Sequence, residues 1–303
     1  MPQITRRDAL TAGAAALATL VARPMSAQTS AQPPAQTAAP EPVPVQPRIV
    51  TKGRLKQSVC RWPYNRIPLP AFCKAIAEMG LTGIDLLNEP EWPVARDAGL
   101  VCSMAYADAG SIPDGLNVKA NHDAIVRNLE QKIPRAAAMK IPNVITFFGN
   151  RRGMPDNEAI DNCVAGLNRV KGVAEESGVT ICVELLNSKV DHKDYQGDHT
   201  AFGVQVVKAV GSPRVKLLYD IYHMQIMEGD VIRTIRANKD YIAHFHTGGV
   251  PGRHELDGTQ ELNWAAVATA IADLDYQGFF AHEFNPTRDP LTSLREAIVL
   301  CDV

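Results

Sequence analysis

The sequence predicts a single-domain (β/α)₈ TIM barrel preceded by an export signal and a disordered segment. Three observations support this prediction. From Leu55 onward, eight short runs of β-branched and aromatic residues occur, and each is followed by a helical stretch. No second domain is needed, because eight β-then-α units fill about the 250 residues that are typical of such a barrel.

The strand-like runs are bounded by Gly, Pro or polar residues, and they cover 55–60, 82–87, 99–105, 142–148, 179–185, 214–219, 241–246 and 278–284. The clearest helical stretches cover 69–79, 118–139, 157–177, 200–210, 228–237, 263–273 and 290–301, with a shorter one at 91–98. In 157–177 the apolar residues recur at helical spacing, and Gly178 follows as a C-cap.

An open, doubly wound sheet is the alternative architecture. Such a sheet usually carries a glycine-rich phosphate loop after its first strand. Here that turn reads RWPYNRIPLP and contains no glycine. The barrel is therefore the favoured fold.

The first 27 residues predict a signal peptide of the twin-arginine type. Arg6 and Arg7 precede a mild apolar stretch, which is followed by small residues up to Ala27. The stretch is too short and too rich in Ala and Gly for a good membrane span, so we expect none in the mature form. Residues 28–47 are Pro, Ala and Gln with almost no large apolar side chain, which predicts a disordered linker. The folded domain is then 48–303, in a periplasmic or secreted protein.

The amino-acid composition limits the classes of molecule that the protein is expected to bind. Hydrophobic residues make up 46% and charged residues 21%, and the net charge of −2 gives no reason to expect nucleic acid or an anionic membrane. The six cysteines show no CxxC spacing, and we expect buried thiols rather than a disulfide framework. The sequence is compatible with a homo-oligomer but does not specify one.

Four consecutive strands end in a side chain that can bind a metal ion: Glu184 in VELLN, Asp220 in LLYDIYHMQ, His246 in HFHTGG and Glu283 in AHEFN. Barrel enzymes carry their active sites at this end of the strands, so the four should meet on one rim. A lone strand-end Asp is more often a helix N-cap, and a lone His a core residue. Three converging buried carboxylates, however, repel each other and are costly to bury unless a cation joins them.

This ligand set has three carboxylates, one imidazole and no thiolate. It favours Mg²⁺ or Mn²⁺, while Co²⁺ or Zn²⁺ could also be accommodated. We therefore expect one divalent metal ion per chain.

Neighbouring residues predict substrate contacts. His223, expected in a loop above the rim, could bind a substrate oxygen or cap the following helix. Arg253 could hold a carboxylate or a hydroxyl-rich substrate, or remain a solvated loop charge. Asn187 could orient a ligand or the substrate, and His244 should lie one layer deeper than His246. Further loop residues hint at an anionic or polyhydroxylated ligand: Arg61, Trp62, Arg151 and Arg152.

The segments SVCRWPY, FFGNRRGM, VELLN, YDIYHMQ, HFHTGGVPGRHE and AHEFNP resemble the hydroxypyruvate isomerase family. More broadly they resemble the xylose-isomerase-like barrels, which include sugar epimerases and a class of abasic-site endonucleases. The resemblance covers roughly 48–303. It implies a metal ion on Glu184, Asp220, His246 and Glu283. It also implies that the two glutamates move a proton between adjacent carbons of an α-hydroxy carbonyl compound, and that His223 and Arg253 contact the substrate.

These features predict a metal-dependent, aldose–ketose type isomerase, similar to hydroxypyruvate isomerase, that acts on a small hydroxy-carbonyl or ketose substrate through a cis-enediolate. The third ligand of hydroxypyruvate isomerases is usually Gln, whereas His246 matches the ketose epimerases. A ketose 3-epimerase is therefore one alternative, and a non-catalytic metal- or sugar-binding barrel is another. Phosphodiester hydrolysis is disfavoured, because the second and third strands end without His and the chain lacks a basic face.

Overall fold

Eight parallel strands form one sheet in the computed structural model, which describes residues 48–303. The strands are β1 Lys56–Val59, β2 Gly83–Leu87, β3 Val101–Tyr106, β4 Asn143–Phe147, β5 Thr180–Leu185, β6 Val215–Asp220, β7 Ile242–Thr247 and β8 Phe279–His282. Their hydrogen-bonded order is β1-β8-β7-β6-β5-β4-β3-β2. Two backbone hydrogen bonds join β1 to β2, from Thr82 N to Gln57 O and from Arg61 N to Asp85 O. They close the sheet, and the predicted single barrel is confirmed.

Helices follow every strand and cover the outside of the sheet. They are α1 Leu69–Met79, α2 Trp92–Asp97, α3 His122–Ala138, α4 Asp156–Asn168, α5 Lys171–Ser177, α6 Thr200–Val210, α7 Ile221–Met227, α8 Val231–Asn238, α9 Trp264–Ala272 and α10 Pro290–Cys301. No helix within residues 48–303 is long and apolar enough to cross a membrane. The predicted signal peptide at 1–27 and linker at 28–47 lie outside the described residues.

Apolar side chains form two cores, one between the sheet and the helices and one inside the barrel. Successive residues of a strand point to opposite faces, and β5 shows the consequence. Ile181 and Val183 pack in the outer core, whereas Cys182 faces the barrel interior. Glu184, two residues further along, continues the inward row and reaches the rim. The six cysteines are all buried and free, as the sequence predicts.

Two predictions of local structure differ from the structure. The stretch 157–177 is interrupted after Asn168, and the two parts face different neighbours: α4 packs mainly against α6 and α5 mainly against α3. The residue after β6 begins a helix instead of a loop, so the expected loop position of His223 was wrong. Asp220 caps this helix, α7, by accepting a hydrogen bond from His223 N at 3.3 Å.

Strand β2 contains an irregularity that matters for the site. Its pairing with β3 shifts on both sides of Asp85, and Leu86 adopts a left-handed φ of 60°. Such a bulge re-aims side chains along a strand. As a result, the two consecutive side chains of Asp85 and Leu86 both face the barrel interior.

The penultimate residue anchors the start of the barrel. Both carboxylate oxygens of Asp302 accept hydrogen bonds, from the backbone N–H groups of Thr51, Lys52 and Gly53 and from the Thr51 hydroxyl, at 2.6 to 2.9 Å. Burial opposes ionisation, but these donors hold the pKa of Asp302 below its ordinary value. The C-terminus therefore ties down the segment that leads into β1.

We expect Asp302→Asn to lower the free energy of unfolding by about 1–3 kcal/mol at pH 7, because an amide cannot accept from all these donors. Because the folded-state pKa is lowered, this stabilisation is present above the unfolded Asp pKa of about 3.9 and is lost as the pH falls through the folded-state value. Urea unfolding of both proteins at pH 7 and near pH 3 measures this. The matched control is Asp161→Asn, since Asp161 is exposed and makes no side-chain hydrogen bond or ion pair within residues 48–303. Equal stability of the two variants at pH 7 would contradict the anchoring role.

Candidate metal and substrate site

The four predicted metal ligands meet at the C-terminal rim of the barrel. Glu184 lies near the end of β5, Asp220 ends β6, His246 lies near the end of β7 and Glu283 directly follows β8. One ligand atom from each lies within 4.8 Å of the others, and all four side chains are buried. Neighbouring parallel strands bring their ends together, and this explains why residues far apart in sequence converge here.

His246 lies between the two glutamates. Its Nδ1 is 2.6 Å from Glu283 Oε2 and 3.4 Å from Glu184 Oε1. Despite the short approach, this buried nitrogen makes no hydrogen bond within the described part of the chain. Its opposite nitrogen, Nε2, lies 3.3 Å from Asp85 Oδ2 and 3.6 Å from Cys60 Sγ. Nδ1 therefore faces the carboxylate cluster, where a bound cation would take the place of a proton on this nitrogen.

Positive charge reaches this cluster from Arg253, in the loop after β7. Its Nη2 donates to Asp220 Oδ2 at 2.7 Å and to Glu283 Oε2 at 2.5 Å. The guanidinium also lies over the rings of Trp62 and Tyr222. It is therefore largely buried and ion-paired, and the alternative of a solvated loop charge is wrong.

One arginine and one imidazole do not balance three carboxylates. Burial raises the pKa of Asp220 to about 7, with Arg253 opposing the rise and Glu283 adding to it. Arg253 and His246, with a hydrogen bond from Trp62 Nε1, outweigh burial and hold the pKa of Glu283 well below its usual range. A further cation would relieve this crowding, and the three carboxylates with the unpaired Nδ1 of His246 fit a divalent metal ion.

His223 contacts Arg253, and Asn187 contacts His223. His223 Nε2 is 2.9 Å from Arg253 Nη1, and its Nδ1 is 2.6 Å from Asn187 Nδ2. Asn187 also accepts from the backbone N–H groups of Val190 and Asp191 through its Oδ1. Burial and the Arg253 charge hold the pKa of His223 well below its usual value, so the ring is neutral. Neither residue lines the cavity described next, and their direct contact with substrate stays a prediction.

A cavity of about 250 Å³ opens beside the ligand cluster. Glu184, Glu283, Arg253 and His192 form its polar side. Trp62 lines it as well, as the sequence suggested for this loop residue. The three arginines that were suggested together with Trp62 do not line the cavity. Arg61 donates to the backbone carbonyls of Tyr64 and Ile67, while Arg151 and Arg152 pair with Asp156 and Asp114.

Sequence reasoning missed Asp85. Its Oδ2 bonds to His244 Nε2 and lies 3.3 Å from His246 Nε2, while its Oδ1 accepts from the hydroxyls of Ser58 and Ser103. Although burial opposes it, His244 holds the pKa of Asp85 well below its usual range. The sequence signal was an acidic residue inside the apolar run TGIDLL. His244 takes the deeper, supporting position that its spacing predicts.

A family model described as "Xylose isomerase-like TIM barrel" matches residues 73–301. The chain belongs to this family. The resemblance drawn from the motifs is thereby confirmed, and the relatives described next carry the names of isomerases and epimerases.

A protein of Homo sapiens described as "Putative hydroxypyruvate isomerase" is 26% identical over 77% of this chain and 80% of its own length. Its Danio rerio counterpart is 32% identical over 42% of this chain, and the match spans 46% of that relative. A D-psicose 3-epimerase of Agrobacterium fabrum is 32% identical over 61% of this chain and 64% of its own length.

Solved structures show the same fold. An AP endonuclease, family 2, from Brucella melitensis superposes with a TM-score of 0.72 at 22% identity, over 79% of this chain and 97% of its own. A 3-keto-D-glucoside 4-epimerase from E. coli gives 0.68 at 18% identity, over 82% and 98%. At these identities the likeness concerns the fold alone.

Within the described residues, each group of three or more metal-competent side chains includes His246, so they form one connected site.

We expect Asp85→Asn to weaken binding of Mn²⁺ or Co²⁺ by about 10- to 100-fold, because the carboxylate that orients a ligating histidine tunes its affinity. Titration of the purified, metal-stripped protein measures the dissociation constant, and circular dichroism verifies folding. Ser58→Ala is the matched control, since Ser58 contacts the other oxygen of the same carboxylate. A folded Asp85→Asn variant with the unaltered dissociation constant would show that Asp85 does not orient His246.

Proposed function

We propose that this protein is a metal-dependent isomerase, similar to hydroxypyruvate isomerase, that moves a proton between adjacent carbons of a small hydroxy-carbonyl or ketose substrate. One observation carries the proposal. Glu184 and Glu283 both line the cavity, and both belong to the cluster in which a cation fits. A carboxylate that lies beside both a cation and a substrate carbon can act as a general base.

Glu184, Asp220, His246 and Glu283 would hold the divalent ion, with Mg²⁺ or Mn²⁺ favoured by the oxygen-rich set. When bound, such an ion supplies Lewis-acid polarisation of the substrate carbonyl and so acidifies the adjacent C–H.

The two glutamates differ in their surroundings. Glu283 accepts hydrogen bonds from Trp62 Nε1 and from Arg253, whereas the Glu184 side chain accepts none within residues 48–303. Glu184 is therefore the freer carboxylate to accept the first proton, and we assign the second transfer to Glu283. Arg253 lines the cavity and is assigned to bind substrate oxygens; His223 contacts its guanidinium, and Asn187 in turn contacts His223. Direct contact of His223 with substrate would require the guanidinium to shift.

A ketose 3-epimerase is the second candidate function. His246 favours it, because His is the third ligand expected in the epimerases, and the relative from Agrobacterium fabrum carries that activity in its name. The same two glutamates serve either reaction. The difference is whether the second proton arrives at the neighbouring carbon or at the opposite face of the same carbon.

We expect Glu184→Gln and Glu283→Gln each to slow exchange of a substrate carbon-bound proton with D₂O by at least 10²-fold, because an amide cannot take the proton. NMR on metal-loaded protein with small ketoses and hydroxyketones follows the exchange. Glu130→Gln is the control, since Glu130 is exposed on α3 and its side chain makes no hydrogen bond or ion pair within residues 48–303.

Near wild-type exchange in both glutamine variants would remove the glutamates from the mechanism. Tight ligand binding by the wild-type protein with no exchange at any carbon would instead support a non-catalytic binding barrel.

We also propose that the protein is exported by the twin-arginine route, on the evidence of residues 1–27 of the sequence alone. This route carries folded proteins, so the barrel could receive its ion before export. Replacing Arg6 and Arg7 by Lys should leave the full-length precursor in the cytoplasm of a bacterium that has this route. Cell fractionation and the mass of the exported form measure it, and the motif has no role if the double variant reaches the periplasm as the wild type does.

A further inference from the structure

The cavity beside the metal ligands has two unlike sides. Its polar side consists of Glu184, Glu283, Arg253 and His192. The remaining wall is mainly apolar or aromatic, with Tyr106 contributing the one hydroxyl of the lining; its apolar members are Leu86, Ile112, Ile145, Phe147 and Leu186. At about 250 Å³ the cavity is smaller than pockets for drug-sized ligands, so a bound molecule touches both sides at once.

Apart from the cation that the ligand cluster would hold, no unpaired positive side chain from the described residues faces this cavity. Arg253 is the one lysine or arginine in its lining, and two carboxylates already pair with its charge, so it offers a substrate oxygen a hydrogen bond and not an unpaired charge. Nη2 pairs with Asp220 and Glu283, Nη1 contacts His223, and Nε donates to the backbone carbonyl of Glu283. Burial lowers the pKa of His192, so its ring is neutral at pH 7.

The distribution of charge around the cavity limits which substrate groups can bind against the apolar wall. A carboxylate or phosphate placed against Ile112, Ile145 and Phe147 would lose its hydration and gain no ionic partner, which is unfavourable. An uncharged group that presents C–H surface replaces water on that wall without this penalty.

From this asymmetry we propose that the substrate is an uncharged α-hydroxy ketone or ketose derivative. Its hydroxy-carbonyl end faces Glu184 and Glu283, and its remote end is apolar or presents a C–H face to the apolar wall. Hydroxypyruvate and sugar phosphates are then poor substrates, although several relatives are named for hydroxypyruvate. This inference rests on the proposed isomerase function and specifies which molecules the same site accepts.

A series with a constant reacting end tests the proposal. All members have the form HOCH₂–CO–R, where R is ethyl or benzyl (apolar), hydroxymethyl (neutral and polar), carboxylate (hydroxypyruvate) or phosphooxymethyl. The rate of C1 proton exchange with D₂O is measured for each with the full-length, Mn²⁺- or Mg²⁺-loaded protein, and calorimetry gives the binding constants. In the reaction the C1 proton passes to a glutamate and a proton returns to C2, so no oxidant or co-reactant is consumed.

We expect kcat/KM and binding affinity to be at least tenfold higher for ethyl and benzyl than for carboxylate and phosphooxymethyl, with hydroxymethyl between them. Equal or faster exchange of hydroxypyruvate or of the phosphate would overturn the proposal. Absence of exchange with every member, together with intact binding of the apolar members, would contradict the isomerase function but uphold the assignment of the pocket.

A charge placed in the wall supplies a second test. Ile112 is only partly buried, so Ile112→Arg should fold and should raise the hydroxypyruvate-to-hydroxybutanone ratio of kcat/KM at least tenfold. Val299→Arg is the control, because Val299 is 55% exposed on α10 and does not line this cavity. An unchanged ratio in a folded Ile112→Arg variant would show that the wall does not face the substrate.

Discussion

Three carboxylates buried within one rim are the constraint around which this structure is organised. Glu184, Asp220 and Glu283 cannot all remain ionised in an apolar barrel unless positive charge and hydrogen-bond donors are supplied. The chain supplies Arg253 and Trp62 for this purpose, and both come from loops at the same rim. The negative charge that remains after these contacts explains why a divalent cation fits the site. The site is therefore stable as part of an electrostatic network, and no ligand residue can be considered alone.

The support for this network extends below the rim. Asp85 reaches His244 and His246 because β2 bulges at Leu86, where a left-handed conformation costs roughly 1–2 kcal/mol in a residue other than glycine. The bulge brings two consecutive side chains inside, one to orient the ligand histidine and one to form the apolar wall of the cavity. A single backbone irregularity thus serves both the metal site and the pocket. The hydroxyls of Ser58 and Ser103 complete the shell around the Asp85 carboxylate.

Members of this family combine similar barrels with names that refer to different substrates. In this chain the ligand cluster suits the proposed proton transfer, in which a cation polarises a carbonyl and a carboxylate acts as the base. The cluster by itself does not select a substrate. The lining of the cavity, where aliphatic side chains from several strand ends and loops face the polar cluster, is the feature on which our substrate proposal rests. Relatives at about 26% identity therefore support the type of chemistry better than the identity of the substrate.

The sequence by itself determined the eight strands, most helices and the four residues that meet at the rim. These follow from local patterns, namely alternation along short strands and one metal-competent side chain at the end of each of four neighbours. The tertiary structure decided the rest. The helix that carries His223, the burial of Arg253 among carboxylates and the role of Asp85 depend on contacts between residues distant in sequence. Contacts of this kind also keep Arg61, Arg151 and Arg152 out of the cavity. The sequence around a loop arginine does not show whether the side chain contacts a substrate, a backbone carbonyl or a surface carboxylate.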